Sequence, residues 1–372
     1  MSACDDCLRR SDLIAAVAGR LDVEWRRRSA PAGVLSLPDE VLASLDSTGR
    51  AARRYAAFSA AGARTAIADA GLGAVCRCDA GYPERLRELA DPPAVVHLAG
   101  RAEALELPAS VAVVGARRGT GYGLEVARSL GRGLAAAGVP VVSGLAMGVD
   151  SAAHVGALEH VPPGPAPSAP SGGGPPIAVL AGGADVPYPP SRRGLYARIV
   201  EHGCVVSELP PGFTAYRWSF VARNRIIAGL AELTVVVEAA ERSGSLTTAD
   251  FAEQLGRPVG AVPGPVTSRF SAGANGLLAA GAGMVRDTRD VLDQLLGPEA
   301  PQRTQLPPAV PIEPRLRRLL DAIERGHGSL AELATEPGES RQVLQDLTDL
   351  ELRGLVRREF GGRYVRAHED RR

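Results

Sequence analysis

The stretch "SVAVVGARRGTGYGLEVARSLGRGLAAAGVPVVSGLAMG" (residues 110–148) decides the architecture. An apolar run ends in glycine and passes into a helical pattern, and a second apolar run then ends at Ser143-Gly144. Strands this short, with no polar alternation, need cover on both faces, which is the habit of a parallel sheet. The alternation continues with "PIAVLAGG", "SRRGLYARIVEHG", "CVVSELPPG", "ARNRIIAGLA", "LTVVVEAA", "TTADFAEQLG" and "PVGAVPG". The pattern predicts a doubly wound, Rossmann-like α/β domain over residues 81–297.

The flanks read differently. Residues 1–80 carry helical patterns such as "DLIAAVAGRL", "PDEVLASL", "AARRYAAFSAAGA" and "RTAIADAG", broken by glycine and proline. A low-complexity insertion occupies 161–176, and a proline-rich linker occupies 298–311. Beyond it, residues 312–368 read as three helices and a hairpin turning at Gly361-Gly362, the pattern of a winged helix. Such a module contacts either duplex DNA or another protein.

Composition narrows the chemistry. The chain has 372 residues, 42 basic and 42 acidic, and every basic residue is arginine. Without lysine there is no Walker A lysine, no Schiff base and no Ser-Lys pair. Charge is balanced along the chain, so anion binding must come from a local constellation. With no long apolar stretch and no signal-like start, the expectation is a cytoplasmic protein with no membrane partner. Of the five cysteines, Cys4, Cys7, Cys76 and Cys78 offer four soft ligands to a structural zinc; ordinary reduced thiols are the alternative. No organic cofactor is expected.

Ligands of such a sheet gather at the carboxyl ends of its strands. A dinucleotide fingerprint fails there: Leu124 stands where the third glycine belongs, and Ser143-Gly144 replaces the acidic ribose ligand. Ser143, Asp150 and His154 could be arranged as a triad, or Asp150 could cap a helix starting at Ser151. Phosphate binding fits the residue types better. Arg117 and Arg118 follow the first strand, Arg223 and Arg225 are placed at the start of a later helix, and Ser243-Gly244-Ser245 opens another. The chain holds only 2 Trp, 7 Tyr and 6 Phe, yet Phe213, Tyr216, Trp218 and Phe220 crowd into one segment beside Arg223. Aromatics among arginines suit a single strand, by stacking on bases and pairing with phosphates; the same rings could instead cover the core under a loop. Likewise Arg225 could hold the domain together through a carboxylate such as Glu238.

"VAVVGARRGTGYG", "VVSGLAMGVDSAAH", "AVLAGGADVPYP", "VVSELPPG", "FVARNRIIAGL", "VVVEAAERSGSLTTA" and "VPGPVTSRFSAGANGLLAAGA" resemble, in order, the DNA-processing protein A (DprA/Smf) family. The likeness runs over about residues 82–285, and the N-terminal helices resemble that family's sterile-alpha-motif-like (SAM-like) module. The resemblance implies a non-enzymatic homodimer that binds single-stranded DNA and helps load the RecA recombinase during natural transformation. Carried over by motif, its DNA pocket uses Arg117, Ser143-Gly144, Arg223-Asn224-Arg225 and Ser243 to Ser245, with Arg118, Trp218 and Phe220 beside them. Two departures stand out: Val221 replaces the proline that usually follows the phenylalanine, and arginine replaces the lysines other members use. The rival is a nucleotide-processing enzyme of the lysine-decarboxylase-like phosphoribohydrolase type, whose "PGGxGT" loop is replaced here by "SGSLTTA". A pure protein-interaction scaffold is the third reading.

Overall fold

A computed structural model describes residues 3–26, 33–159, 173–297, 313–334, 339–352, 355–358 and 362–366. The linker 298–311, most of the 161–176 insertion and the turn residue Gly361 lie outside these described residues. Two compact units separate, residues 1–304 and 305–372.

The larger unit is built on one nine-stranded sheet. In chain order its elements are α1 (Asp5–Arg26), α2 (Asp39–Ser44), α3 (Arg50–Ala56), α4 (Ala60–Asp69), β1 (Gly73–Cys76), α5 (Glu84–Arg87) and β2 (Val95–Gly100). The wound region follows: β3 (Val111–Val114), α6 (Gly121–Ala136), β4 (Val141–Ser143), α7 (Val149–Glu159), β5 (Pro176–Val179), α8 (Arg193–His202) and β6 (Cys204–Ser207). It closes with α9 (Arg217–Leu230), β7 (Leu233–Val236), α10 (Leu246–Gln254), β8 (Val259–Ala261), α11 (Ala272–Ala279), β9 (Gly283–Met284) and α12 (Thr288–Leu296).

The strand order is β1-β2-β6-β5-β4-β3-β7-β8-β9. From β6 to β9 every pairing is parallel. The first two strands correct the expectation of an all-parallel sheet: β2 runs antiparallel to β6, and β1 antiparallel to β2. A hairpin-like antiparallel pair needs no helical crossover, so it extends an open edge cheaply. It also places a strand inside the first 80 residues, where only helices were read. The presumed single helix "AARRYAAFSAAGA" is two, because Ser59 accepts a bond from Gly62 N–H and caps a fresh start at α4.

Burial follows the pleat. Ala112, Val114 and Val236 face a core covered by α5, α9, α10 and α11, where Leu86, Ile226, Ile227 and Ala249 pack. Their neighbours Val111, Val113, Val235 and Val237 face Leu130, Leu134, Ala153 and Val291 from α6, α7 and α12. A third cluster joins Leu13, Ile14, Val17 and Leu21 of α1 to Leu42, Ala51 and Trp218. At the switch in winding direction, β3 lies between β4 and β7, and the crevice opens at the carboxyl ends of these strands.

The smaller unit contains α13 (Pro314–Glu324), α14 (Leu330–Leu333), α15 (Ser340–Leu352) and an antiparallel pair, β10 (Val356–Arg358) and β11 (Tyr364–Arg366). Leu316, Leu320, Leu347, Leu350 and Val356 form its own core.

Candidate nucleic-acid interface

A cavity of about 390 Å³ occupies this switch point. The turn after β3 supplies Gly115 to Arg118, the turn after β4 supplies Ala146, the first turn of α7 supplies Asp150, and the turn after β7 supplies Ala240 and Ser243 to Ser245. Helix α9 closes the side with Phe220, Arg223 and Asn224, and Phe270 stands opposite.

The turns are held tightly. Gly148 adopts φ 82°, and a side chain there would strike the Ala116 carbonyl. Among the described residues Leu145 is the non-glycine residue with positive φ, 55°, its side chain fully buried. Strain of this kind persists where the surroundings over-determine the backbone, often beside a binding site. Asp150 lies inside the first turn of α7 and accepts from the N–H groups of Gly144 (3.1 Å) and Ala146 (3.4 Å), so its carboxylate ties the turn together.

Arg223 is 5% exposed and donates through Nη1 to the carbonyls of Gly144 (2.8 Å) and Val179. A Cβ on residue 144 would run into this guanidinium. Burial pulls the Arg223 pKa down to about 10, with Asp150 pulling it back up and Arg117 adding repulsion. It therefore stays cationic at neutral pH. Burial likewise lifts the Asp150 carboxyl above its ordinary range, against the opposing pull of Arg223. Asn224 accepts from Arg223 Nε (3.3 Å) and donates to Gly244 O (3.1 Å) and Thr247 Oγ1 (2.8 Å), fixing the Ser243–Ser245 turn against α9.

Arg117 and Arg118 are exposed, with no ion pair among the described residues. The Arg117 guanidinium lies 5.2 Å from the centroid of Phe220, whose ring is 5.3 Å from Tyr188. Arg269 covers Phe270 at 4.9 Å. These two cation–aromatic stacks flank the cavity mouth. Tyr188, Arg269 and Phe270 were missed by sequence reasoning. The available signal was an exposed tyrosine in "VPYPP" and an Arg-Phe pair in "TSRF", each at a strand's carboxyl end.

Several expected site residues lie elsewhere. Arg223 and Arg225 are not at a helix start, because α9 begins at Arg217, where Ser219 Oγ accepts from Tyr216 N–H and Asp22 accepts from Trp218 N–H. Arg225 points away from the cavity: its Nη2 donates to Glu208 at 2.6 Å and its Nε lies 3.0 Å from Asp91. Glu238, the carboxylate considered for it, instead accepts from Thr120 N (2.8 Å) and Oγ1 (2.6 Å). That carboxylate seals the N-terminus of α6, where a dinucleotide pyrophosphate would dock. Trp218 is 4% exposed and packs against α1, so it offers no face to a base. Ser143 is fully buried and donates to the Val113 carbonyl (2.7 Å). His154 is buried too, its pKa depressed to about 3 by desolvation. With Ser143 and Asp150 both committed to backbone groups, the three form no nucleophile–base relay.

What remains at the mouth is a cationic, aromatic-edged cleft with one buried carboxylate beneath it. A Mycobacterium tuberculosis relative carrying the name DNA processing protein DprA is 40% identical over 285 residues, 74% of this chain and 69% of the relative. The crystal structure of DNA processing protein A from Streptococcus pneumoniae superposes with a TM-score of 0.62 at 30% identity, covering 79% of this chain and 99% of that one. DNA processing protein A from Helicobacter pylori, solved to explain its single-stranded DNA binding mode, gives 0.52 at 28% identity over 60% and 94% of the two chains. The family model of DNA recombination-mediator protein A matches residues 73–296, the whole sheet from β1 to α12, and the chain belongs to that family.

Proposed function

We propose that this chain binds single-stranded DNA at the cleft and acts as a recombination mediator rather than an enzyme. The observation that carries this reading is Arg117, exposed, without an ion pair among the described residues and stacked on Phe220 at 5.2 Å. Guanidinium and ring together answer the two halves of a nucleotide, and a ring accepts any base by stacking. Arg118 extends the positive surface, Arg223 adds its charge from beneath, the Ser243-Gly244-Ser245 turn adds polar groups at the rim, and Tyr188 and Phe270 extend the aromatic surface. Arg225, Trp218 and Ser143 support these groups from the interior. The single-stranded DNA binding mode studied in the Helicobacter pylori relative supports the choice of ligand.

On this reading the protein is a cytoplasmic homodimer that helps load RecA onto incoming single strands during natural transformation. No helix among the described residues is long and apolar enough to cross a membrane. The helices that precede β1 serve as the SAM-like module, and the three helices and strand pair of the smaller unit support its reading as a winged helix.

Fluorescence anisotropy with a labelled single strand and its duplex, over a salt series, tests the proposal. The single strand should bind preferentially and with steep salt dependence. Arg117→Ala and Arg118→Ala should each lower the salt slope of log K by about 0.7, the release expected for one phosphate contact. Equal slopes in wild type and double variant would remove the cleft from the DNA path. Release of free base from nucleoside monophosphates would instead favour the phosphoribohydrolase reading.

A further inference from the structure

The sulfurs of Cys4, Cys7, Cys76 and Cys78 all lie within 4.8 Å of one another. The two pairs come from segments about seventy residues apart, and each converges for a local reason. Cys4 and Cys7 bracket the start of α1, and residues three apart share a helix face. Cys76 ends β1, and the tight turn that follows, closed by the Asp79 N–H on the Cys76 carbonyl at 2.8 Å, folds Cys78 back beside it. Packing of α1 against β1, through Leu8, Leu72 and Ala74, then brings the pairs together.

We propose that these four thiolates bind one structural zinc ion. Zinc holds thiolates at about 2.3 Å in a tetrahedron, which sets neighbouring sulfurs about 3.8 Å apart. Cys7 Sγ and Cys78 Sγ are 3.7 Å apart, far beyond the roughly 2.05 Å of a disulfide. All the cysteines are free thiols, as a metal cage requires. The backbone N–H of Cys4 donates to Cys76 Sγ at 3.4 Å, a bond that disperses thiolate charge and orients the ligand. Arg64 braces the chain on both sides of Cys4, donating to the Ala3 backbone carbonyl at 2.9 Å and to the Asp5 carboxylate at 2.5 Å. Four protein ligands close the coordination sphere, so the ion is structural and no position is left for a substrate. An all-sulfur tetrahedron also admits iron, and metal content separates the two.

The consequence is mechanical. The ion pins the first turn of α1 to the edge strand β1, and binding free energy becomes folding free energy for the N-terminal helices. The other end of α1 carries Asp22, which receives the Trp218 N–H at the start of α9, the helix that presents Arg223.

The test uses the full chain, purified without chelator under reducing conditions and read by elemental analysis. About one zinc per chain is expected, falling at least tenfold in Cys7→Ser and in Cys78→Ser. It should stay unchanged in Cys204→Ala, whose thiol is buried in β6 away from the cluster. Should the serine variants fail to fold, the wild type decides alone. Cobalt exchanged into it should show the visible bands of a tetrahedral thiolate site. Less than a tenth of a zinc per chain in wild type, stoichiometric iron in its place, a Cys7–Cys78 disulfide in mass mapping, or full zinc retention in the Cys7→Ser/Cys78→Ser double variant would each overturn the proposal.

Discussion

Arg223 and Arg225 stand two residues apart on α9, are both almost fully buried, and live in different worlds. One face of the helix aims Arg223 at backbone carbonyls under the cleft. The other aims Arg225 at Glu208 and Asp91. Successive residues of a helix turn by about 100°, so positions i and i+2 fall on nearly opposite faces. Two arginines at that spacing cannot converge on one phosphate without breaking the helix. A charged motif is thus read by its spacing as much as by its composition: the cleft side of α9 lines the candidate site, and the far side serves cohesion.

The sharpest break of this comparison is Arg225→Ala, which leaves Glu208 buried without its counter-charge. Loss of one partner from a buried pair costs about 3–5 kcal/mol, a fall in Tm on the order of 10 °C. DNA affinity of the folded variant should hardly move. The deficit should also depend on pH. Burial raises the Glu208 carboxyl above its ordinary range even with Arg225 opposing it, and without Arg225 it rises further. A folded-state pKa above the unfolded one means the native state binds the extra proton, so the variant regains stability as pH falls toward the unfolded value. Thermal melts of variant and wild type should therefore converge on acidification. A gap independent of pH would show that the pair does not govern Glu208.

Trp218→Ala should follow closely, at about 3 kcal/mol of stability, because an indole packed between α9 and α1 is removed from a core. Its signature is a lower Tm with an unchanged salt slope for DNA. A binding loss at unchanged Tm would return the indole to the cleft. The smallest effect belongs to Phe220→Ala, with a loss of roughly 1–3 kcal/mol in single-strand affinity and no change of salt slope. Tm should stay near wild type, since the ring is only half-buried. A changed slope would mean that Phe220 acts by positioning Arg117 rather than by stacking on a base.

The wound sheet was legible because its signals are local: short apolar runs, turn residues rich in glycine and proline after them, helical periodicity between. The same local signals marked the turns carrying Arg117, Gly144 and Ser243 to Ser245, which do line or brace the cleft. What lay beyond them depended on distant partners. Whether β1 and β2 join the sheet depends on β6 offering an open edge, more than a hundred residues away. The start of α9 depends on Asp22 and Ser219 as caps, and moving that start by a turn takes Arg223 from a helix end to its middle. Trp218 and Phe220 look alike as aromatics near arginine, but α1 covers only the first. Residue type and spacing determined which groups this protein can offer to a nucleic acid. Only the packing of α1, the sheet edge and α9 decided which of them face outward, because burial is a property of neighbours that the chain brings together from far apart.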